Sequence, residues 1–402
     1  MKIFIPGRIE FLGKHTDYCG GRSIVCATDR GFRAEVDERS DRLLVAESVE
    51  TGETISFDLA AETQFAAGHW GNYAAETARR LTRNFPEAMT RGATVRFTSD
   101  LPRAAGLSSS SALIIMVFTA LASVNNIRGS DVFYANLRDG AEIAEYLGCV
   151  ENGSSFRALE GSKGVGTFGG SQDHAAITLG RRDRLSSFSF SPLRHEADYA
   201  FPAELAFVVA ASGVVAEKTG DARERYNRVS RMVSEITALF GGDTSLRALI
   251  DKFGVDAVRE AVKSGDHGFS AAEMTGRIEQ FYAENYEIIP AVAGHLAAER
   301  FEQIGELIDR SQHNAEMLLG NQVPETIFLQ AAAREIGAIA ASAFGAGFGG
   351  SVYALVPTRD AERFCGEWRR MYLKRSPEHA AASEFFVTRP SRAEMPGSLL
   401  IG

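Results

Sequence analysis

The sequence predicts a two-domain protein that mixes β-strands with α-helices, and three observations carry that reading. At 402 residues the chain is too long for one average hydrophobic core, so two domains are expected. Short, partly alternating apolar segments fill its first hundred residues, whereas helical periodicity fills most of 221–340. Between them, 112–124 is an apolar run too short to span a bilayer and suited to a buried helix.

The composition narrows the class. Apolar residues make up 45% and charged residues 24%, ordinary values for a globular protein. A net charge of −9 without a basic block argues against a general nucleic-acid surface, and leaves room for a small basic pocket. Cys19, Cys26, Cys149 and Cys365 are scattered, which fits reduced thiols better than a disulfide frame or a zinc site. The apolar start at 3–5 is too short for a signal peptide. The expectation is a soluble, cytoplasmic protein with no membrane or nucleic-acid partner.

Along the chain, 3–5 reads as a strand ended by Pro6-Gly7. Residues 6–21 then pack Arg8, Glu10, Lys14, His15, Asp17 and Tyr18 between glycines, the density expected of a loop that binds something. Strands are predicted at 23–27, 32–36, 43–46, 55–57 and 94–98, and a helix from Trp70 to about 81. Trp70 has the composition of a core residue or of a platform for a flat ring. Residues 130–147 are helical by periodicity, and 152–172 form a glycine-rich loop. That loop delivers Asp173 between a glycine turn and the apolar 175–179, a place for a functional carboxylate or for an ordinary Asp cap. Residues 191–194 are the expected domain joint, giving domains 1–195 and 196–402. Beyond it, 205–211 reads as a strand, and 221–241, 255–263, 271–286, 288–310 and 325–340 as helices. The glycine loop 345–350, strand 352–356, helix 359–374 and strand 384–388 follow. The glycine loop is expected to lie against other backbone or against a phosphate-binding loop.

The most informative stretch is 100–113. A turn leads into Gly106 and Leu107, then Ser108, Ser109, Ser110 and Ser111, then the apolar run. The first turn of a helix leaves N–H groups unpaired and its dipole favours anions, so small residues there let a phosphate approach. An ordinary serine N-cap on a core helix is the alternative.

Three stretches, 6–21, 101–113 and 345–351, together resemble the three signature motifs of the GHMP small-molecule kinases, and within them the galactokinases. The first motif of that family reads G-R-V-N-x-I-G-E-H-T-D-Y-x-G-G, against Gly7-Arg8-Ile9-Glu10-Phe11-Leu12-Gly13-Lys14-His15-Thr16-Asp17-Tyr18-Cys19-Gly20-Gly21 in this chain. The second, P-x-G-x-G-L-S-S-S-A-A-L, corresponds to 102–113, and the third, G-A-G-F-G-G, to 345–350. The resemblance implies an α+β fold of two domains with the active site in the cleft between them. These are an N-terminal domain like the second domain of ribosomal protein S5 and a ferredoxin-like C-terminal domain. It implies an ATP- and Mg²⁺-dependent kinase that makes a sugar 1-phosphate, acting as a monomer or weak dimer.

Carried over residue by residue, the resemblance gives Asp173 the base or orienting role and places Arg8 beside it and the transferring phosphoryl group. His15, Asp17 and Tyr226 match sugar-contacting positions, and Lys14 stands in the same loop. Gly106, Leu107, Ser108, Ser109 and Ser110 match the phosphate cradle, with Ser109 on Mg²⁺. Glu151, by its Glu-Asn context, or Glu160, by its distance along the chain, matches the metal-holding glutamate, and Trp70 is expected near the adenine. Lys14 departs from the family, which carries Glu there against the sugar 6-hydroxyl. A cation at that place suits a carboxylate at carbon 6, so a uronic acid such as galacturonate is an alternative substrate to galactose, as is another aldose. The alternative is that Lys14 pairs with a nearby Asp or Glu, or points to solvent, while another residue holds the 6-hydroxyl. Ala104 replaces a glycine of the second motif, and Ser171-Gln172-Asp173-His174 varies the usual sequence around the base. A non-catalytic sugar- and ATP-binding regulator is the reading from another class.

Overall fold

A computed structural model describes residues 1–102, 105–214, 220–242, 244–265 and 268–396, so Ala104 lies outside the described residues. Two β-sheets organise it. The first holds β1 (Lys2–Leu12), β2 (Arg22–Glu38), β3 (Leu43–Ser48), β4 (Glu53–Asp58), β5 (Ala93–Ser99), β6 (Arg184–Ser189) and β7 (Arg194–Ala200). Its order is β4-β3-β5-β2-β6-β7, with β1 on β2; every pairing is antiparallel except β3 with β5. The second sheet is antiparallel and orders β8 (Leu205–Ala211), β9 (Ala340–Phe344), β10 (Ser351–Pro357) and β11 (Glu384–Thr388) as β11-β8-β10-β9.

Pro6-Gly7 does not end the first strand as expected. Pro6 pairs with Gly31 and Arg8 with Ala27, so two residues of β1 span four of β2, and the extra residues of β2 bulge. Such an irregularity tolerates a proline, which has no N–H for the ladder. The turn-like residues 28–30 are absorbed in this bulge, which is why the two strands expected at 23–27 and 32–36 are one. Gly31 is required where the strands approach, because a Cβ there would lie 2.2 Å from the Ile5 carbonyl oxygen.

Helices Ser109–Val124 and Gln172–Leu179 pack on the first sheet, and Gly71–Asn84 and Gly140–Asn152 pack on those two helices. Ser109–Val124 is buried on every side from Ser111 to Ala122, which explains its unbroken apolar sequence. Helices Pro324–Ile336 and Ala361–Arg375 cover the second sheet, where the indole N–H of buried Trp368 donates to Leu329 O at 3.0 Å. A third core gathers helices Gly220–Ala238, Leu246–Phe253, Val255–Ser264 and Ala271–Tyr282 around Cys19.

Several elements differ from expectation. The helix expected at 130–147 is two, Asp131–Asn136 and Gly140–Asn152, because Asp139 caps the second by accepting from Glu142 N at 2.8 Å. The helix expected at 288–310 breaks after Ala297 and restarts at Gly305. The helix expected at 325–340 stops at Ile336, where Gly337 has φ +104°, and β9 begins at Ala340. Alanine-rich β9 and serine-rich β6 lack the β-branched residues that announce strands. Residues 191–194 are the turn between β6 and β7, and the chain leaves the first sheet only after Ala200.

The sheets meet at Phe11 of β1, whose ring lies 5.3 Å from Tyr353 and 6.0 Å from Phe207. The Tyr353 hydroxyl donates to Phe11 O at 2.8 Å. The chain end returns to the first sheet, Ser391 N donating to Ala27 O at 2.9 Å and Glu394 N to Phe4 O at 2.8 Å. Phe11→Ala removes a fully buried ring at this junction and is expected to cost about 3–5 kcal/mol, read as a lower urea midpoint with one transition for both sheets. Two separated transitions would show that the junction does not couple them.

Candidate active site

Strand alternation aims Arg8 and Glu10 to one side of β1, and Ile9 and Phe11 into the core. Arg8 is 4% exposed and gathers three segments. Its Nε donates to Asp173 Oδ1 at 2.7 Å, Nη1 donates to Gly106 O, and its guanidinium lies 5.9 Å from the centre of the Phe344 ring. Asp173 occupies the first turn of helix Gln172–Leu179 and is the more exposed partner, at 19%. A polar cleft opens there, lined by Arg8, Glu10, His15, Asp17, Glu151, Asp173 and Tyr226 with glycine-loop backbone.

The loop after β1 contributes His15 and Asp17. His15 Nε2 lies 3.0 Å from Ala346 O, which only accepts, so Nε2 carries a proton. Nδ1 lies 2.8 Å from the Tyr18 hydroxyl, accepting from it when the ring is neutral and donating to it when the ring is charged. Asp17 Oδ2 accepts from Gln172 N at 3.4 Å, and a Cβ at Gly170 would lie 2.5 Å from that oxygen, so only glycine permits this approach. Tyr226 stands 5.5 Å from the His15 ring, and neighbouring Asn227 holds the glycine loop through Phe168 N and Gly166 O, each at 3.1 Å.

The serine segment lies against the third glycine motif, as its composition predicts. Ser351 Oγ donates to Ala105 O at 2.5 Å, and a Cβ on Gly345 (φ +81°) would meet Gly106 O at 3.0 Å. Leu107 O accepts from Arg8 N at 3.2 Å. Ser108 has φ +61° and caps helix Ser109–Val124 without a side-chain hydrogen bond; its buried hydroxyl has no partner among the described residues. Glu151 accepts from Ser111 Oγ at 2.7 Å and from Ser110 Oγ at 3.3 Å, with His174 Nε2 at 3.3 Å. Of the two candidate glutamates, Glu151 therefore lies at the cleft, while Glu160 is 76% exposed beside Arg83. The serines brought to Glu151 are Ser111 and, at a longer distance, Ser110.

Gly106, Leu107, Ser108, Ser109 and Ser110 border this cleft without lining it, and Lys14 and Trp70 are held by other contacts. Lys14 is 1% exposed and does not line the cleft. Its Nζ donates to Ser311 Oγ at 3.0 Å, whose hydroxyl donates to Glu284 Oε1 at 3.1 Å. It is thus satisfied within the protein, the pairing weighed against a uronate contact. Trp70 also stands outside the cleft: its indole N–H donates to Glu53 Oε2 at 2.6 Å, and its ring packs on Phe97 at 5.4 Å. Asn152, Thr167, Gln172 and His174 also line the cleft, beyond the site residues expected from the sequence. Glu10 was legible in principle, two residues along a strand from Arg8.

Burial shifts the acids of the cleft. It pushes the Glu10 carboxyl up to about 7, against the pull of Arg8 and Lys14. It also raises Asp17, opposed by hydrogen bonds from the Tyr18 and Gln172 N–H groups, and raises the Tyr226 phenol.

Two family models, described as GHMP kinases N terminal domain and GHMP kinases C terminal, match residues 72–181 and 292–374. A third, the galactokinase galactose-binding signature, matches residues 3–37. The chain belongs to the GHMP kinase family. Within it, it is a galactokinase-like sugar kinase. A galactokinase of Glaesserella parasuis is 27% identical over 90% of this chain and 86% of its own length. One of Thermococcus kodakarensis is 26% identical over 98% of this chain and 99% of its own. The fold is shared with a Lactococcus lactis galactokinase complexed with galactose, at a TM-score of 0.78 and 22% identity over 98% of this chain and 95% of that one. It is shared more distantly with the Methanococcus jannaschii mevalonate kinase, at a TM-score of 0.55 and 16% identity, covering 98% of each chain. Among the described residues, no helix is long and apolar enough to cross a membrane.

The raised Glu10 gives this kinase a pH-dependent stability. A carboxyl whose folded-state pKa lies above its ordinary 4.5 favours folding fully below that value and loses the contribution as pH rises through about 7. Glu10→Gln removes the loss, so its unfolding free energy relative to the parent is expected to rise by roughly 2 kcal/mol between pH 5 and pH 8. Urea titrations at the two pH values check this, and a pH-independent difference would refute the burial argument.

Proposed function

We propose that the protein transfers the γ-phosphoryl group of ATP to the anomeric (C1) hydroxyl of galactose, giving galactose 1-phosphate. The observation that carries this reading is the Arg8–Asp173 pair, 2.7 Å apart, at the junction of the sugar loop and the serine loop. Phosphoryl transfer needs positioning and charge neutralisation more than covalent chemistry. Asp173 is placed to accept or orient the hydroxyl proton, with Arg8 as a fixed cation against charge developing on the phosphoryl group. The helix start at Ser109 would receive the phosphates, and its apolar body keeps that terminus fixed. His15, Asp17 and Tyr226 would hold sugar hydroxyls.

Mg²⁺ belongs to the same proposal. The donor set fits a hard cation: the Glu151 carboxylate beside the Ser110 and Ser111 hydroxyls. Glu151 and Ser110 are the residues that would hold it, and when bound it supplies charge neutralisation on the phosphate oxygens.

A neutral aldose is favoured over a uronate by charge. The cleft presents the acids Glu10, Asp17, Glu151 and Asp173 against one lining arginine, and Lys14 is turned to Ser311. The galactose-binding signature over 3–37 and the galactokinase relatives point the same way.

ADP release with Mg-ATP is expected with galactose and not with galacturonate. Turnover of galacturonate alone would overturn the substrate assignment. Asp173→Asn is expected to keep ATP binding within about twofold by calorimetry while kcat falls by about 10²-fold or more, the scale typical of general acid–base catalysis. Near-parental turnover in that variant would rule out Asp173 as the group that accepts or orients the proton.

A further inference from the structure

We propose that Glu10 is a specificity residue: its carboxylate receives a ring hydroxyl of the sugar, other than the one phosphorylated, and so sets which sugars are accepted. This rests on the cleft being the sugar site, as proposed for the transfer reaction.

Glu10 lines the cleft two residues along β1 from Arg8, on the same side of the strand. It is 3% exposed, and its Oε1 is buried with no hydrogen-bond partner among the described residues. An acid withdrawn this far from water without donors is costly, and residues of that kind are retained where a ligand completes them. The surroundings supply charge but no donor. Arg8 aims Nε at Asp173 and Nη1 at Gly106 O, and Lys14 aims Nζ at Ser311. Both cations lie close enough to oppose the rise in the Glu10 pKa. The two cations therefore offset the buried charge only in part, and the site leaves the acceptor oxygen for a donor that enters the cleft.

The sequence pattern adds an independent observation. Where the first galactokinase motif carries Asn and then Glu, this chain carries Glu10 and then Lys14. The acidic side chain sits four residues nearer the catalytic Arg8, and a cation takes its former place, facing Ser311 and Glu284. A buried acceptor built for a hydroxyl rejects analogues that lack it, because the acceptor is then left unpaired.

The test measures kcat/KM for galactose and its 2-, 3-, 4- and 6-deoxy analogues with the full-length protein and Mg-ATP. The parent, Glu10→Gln and Glu10→Asn are compared, after melting curves confirm that each is folded. The parent is expected to disfavour one analogue strongly. Both variants are expected to shrink that one ratio about tenfold or more and leave the others within about twofold. Where neither neutral variant folds, Glu10→Asp, which keeps the charge but shortens the reach, is expected to shrink the same ratio. Turnover with an unchanged profile in every folded variant overturns this inference alone. No turnover of galactose or any analogue by the parent overturns the sugar reading, and this inference with it.

Discussion

The geometry of the cleft depends on one guanidinium. Arg8 is carried on β1 just past the bulge opposite residues 28–30, and its backbone N–H is tied to Leu107 O. Its side chain then reaches the Asp173 carboxylate, the serine-loop carbonyl and the Phe344 ring before the third glycine motif. Three segments far apart in sequence are thus fixed against one rigid, planar, permanently charged group. Lysine has the charge but not the fork that serves Asp173 and Gly106 together. The glycines at 106 and 345 belong to the same constraint: both take the left-handed backbone, at φ +75° and +81°, and a Cβ on Gly345 would come within 3.0 Å of Gly106 O.

The loop after β1 is held from behind by a single helix face. Arg277 donates to His15 O at 2.6 Å, Gln280 to Lys14 O at 3.1 Å, and Glu284 accepts from Gly13 N at 2.8 Å. These positions follow helical spacing, and the wider π turn over Ala283–Ile288 brings adjacent Asn285 to the same side, where it accepts from Arg22 N at 2.9 Å. Consecutive backbone groups of the loop are therefore satisfied by buried side chains, which lets His15 keep φ +56°. The second half of the chain contributes to the cleft chiefly by immobilising what the first half presents.

The legible parts of the sequence were those where one local rule suffices. The serine run before an apolar helix, the glycine loop against it, and Asp173 at a helix start all follow from local chemistry, and the structure brings these segments to one cleft. The illegible parts were set by contacts distant in sequence. The length of β1 depends on a bulge in its partner, and β6 and β9 owe their state to neighbouring strands more than to propensity. Trp70 carried no sign of its contacts with Glu53 and Phe97, since both partners come from other elements. The polarity of Lys14 was plain, but its direction is decided by Ser311, 297 residues further along the chain, and by Glu284 behind it.

Lys14 and Glu10 are best understood together. A lysine alone at the sugar loop invites a search for an anionic substrate, because a buried cation requires an opposite charge. In this chain the opposite charges are internal: Glu284 is reached through Ser311, and Glu10 stands in the Coulomb field of both Lys14 and Arg8. An anionic sugar would add a charge to a cleft whose cations are already matched and whose lining acids outnumber its arginine. The lysine thus makes an extra carboxylate tolerable beside the Arg8–Asp173 pair, and its own charge is met inside the protein without an anionic ligand.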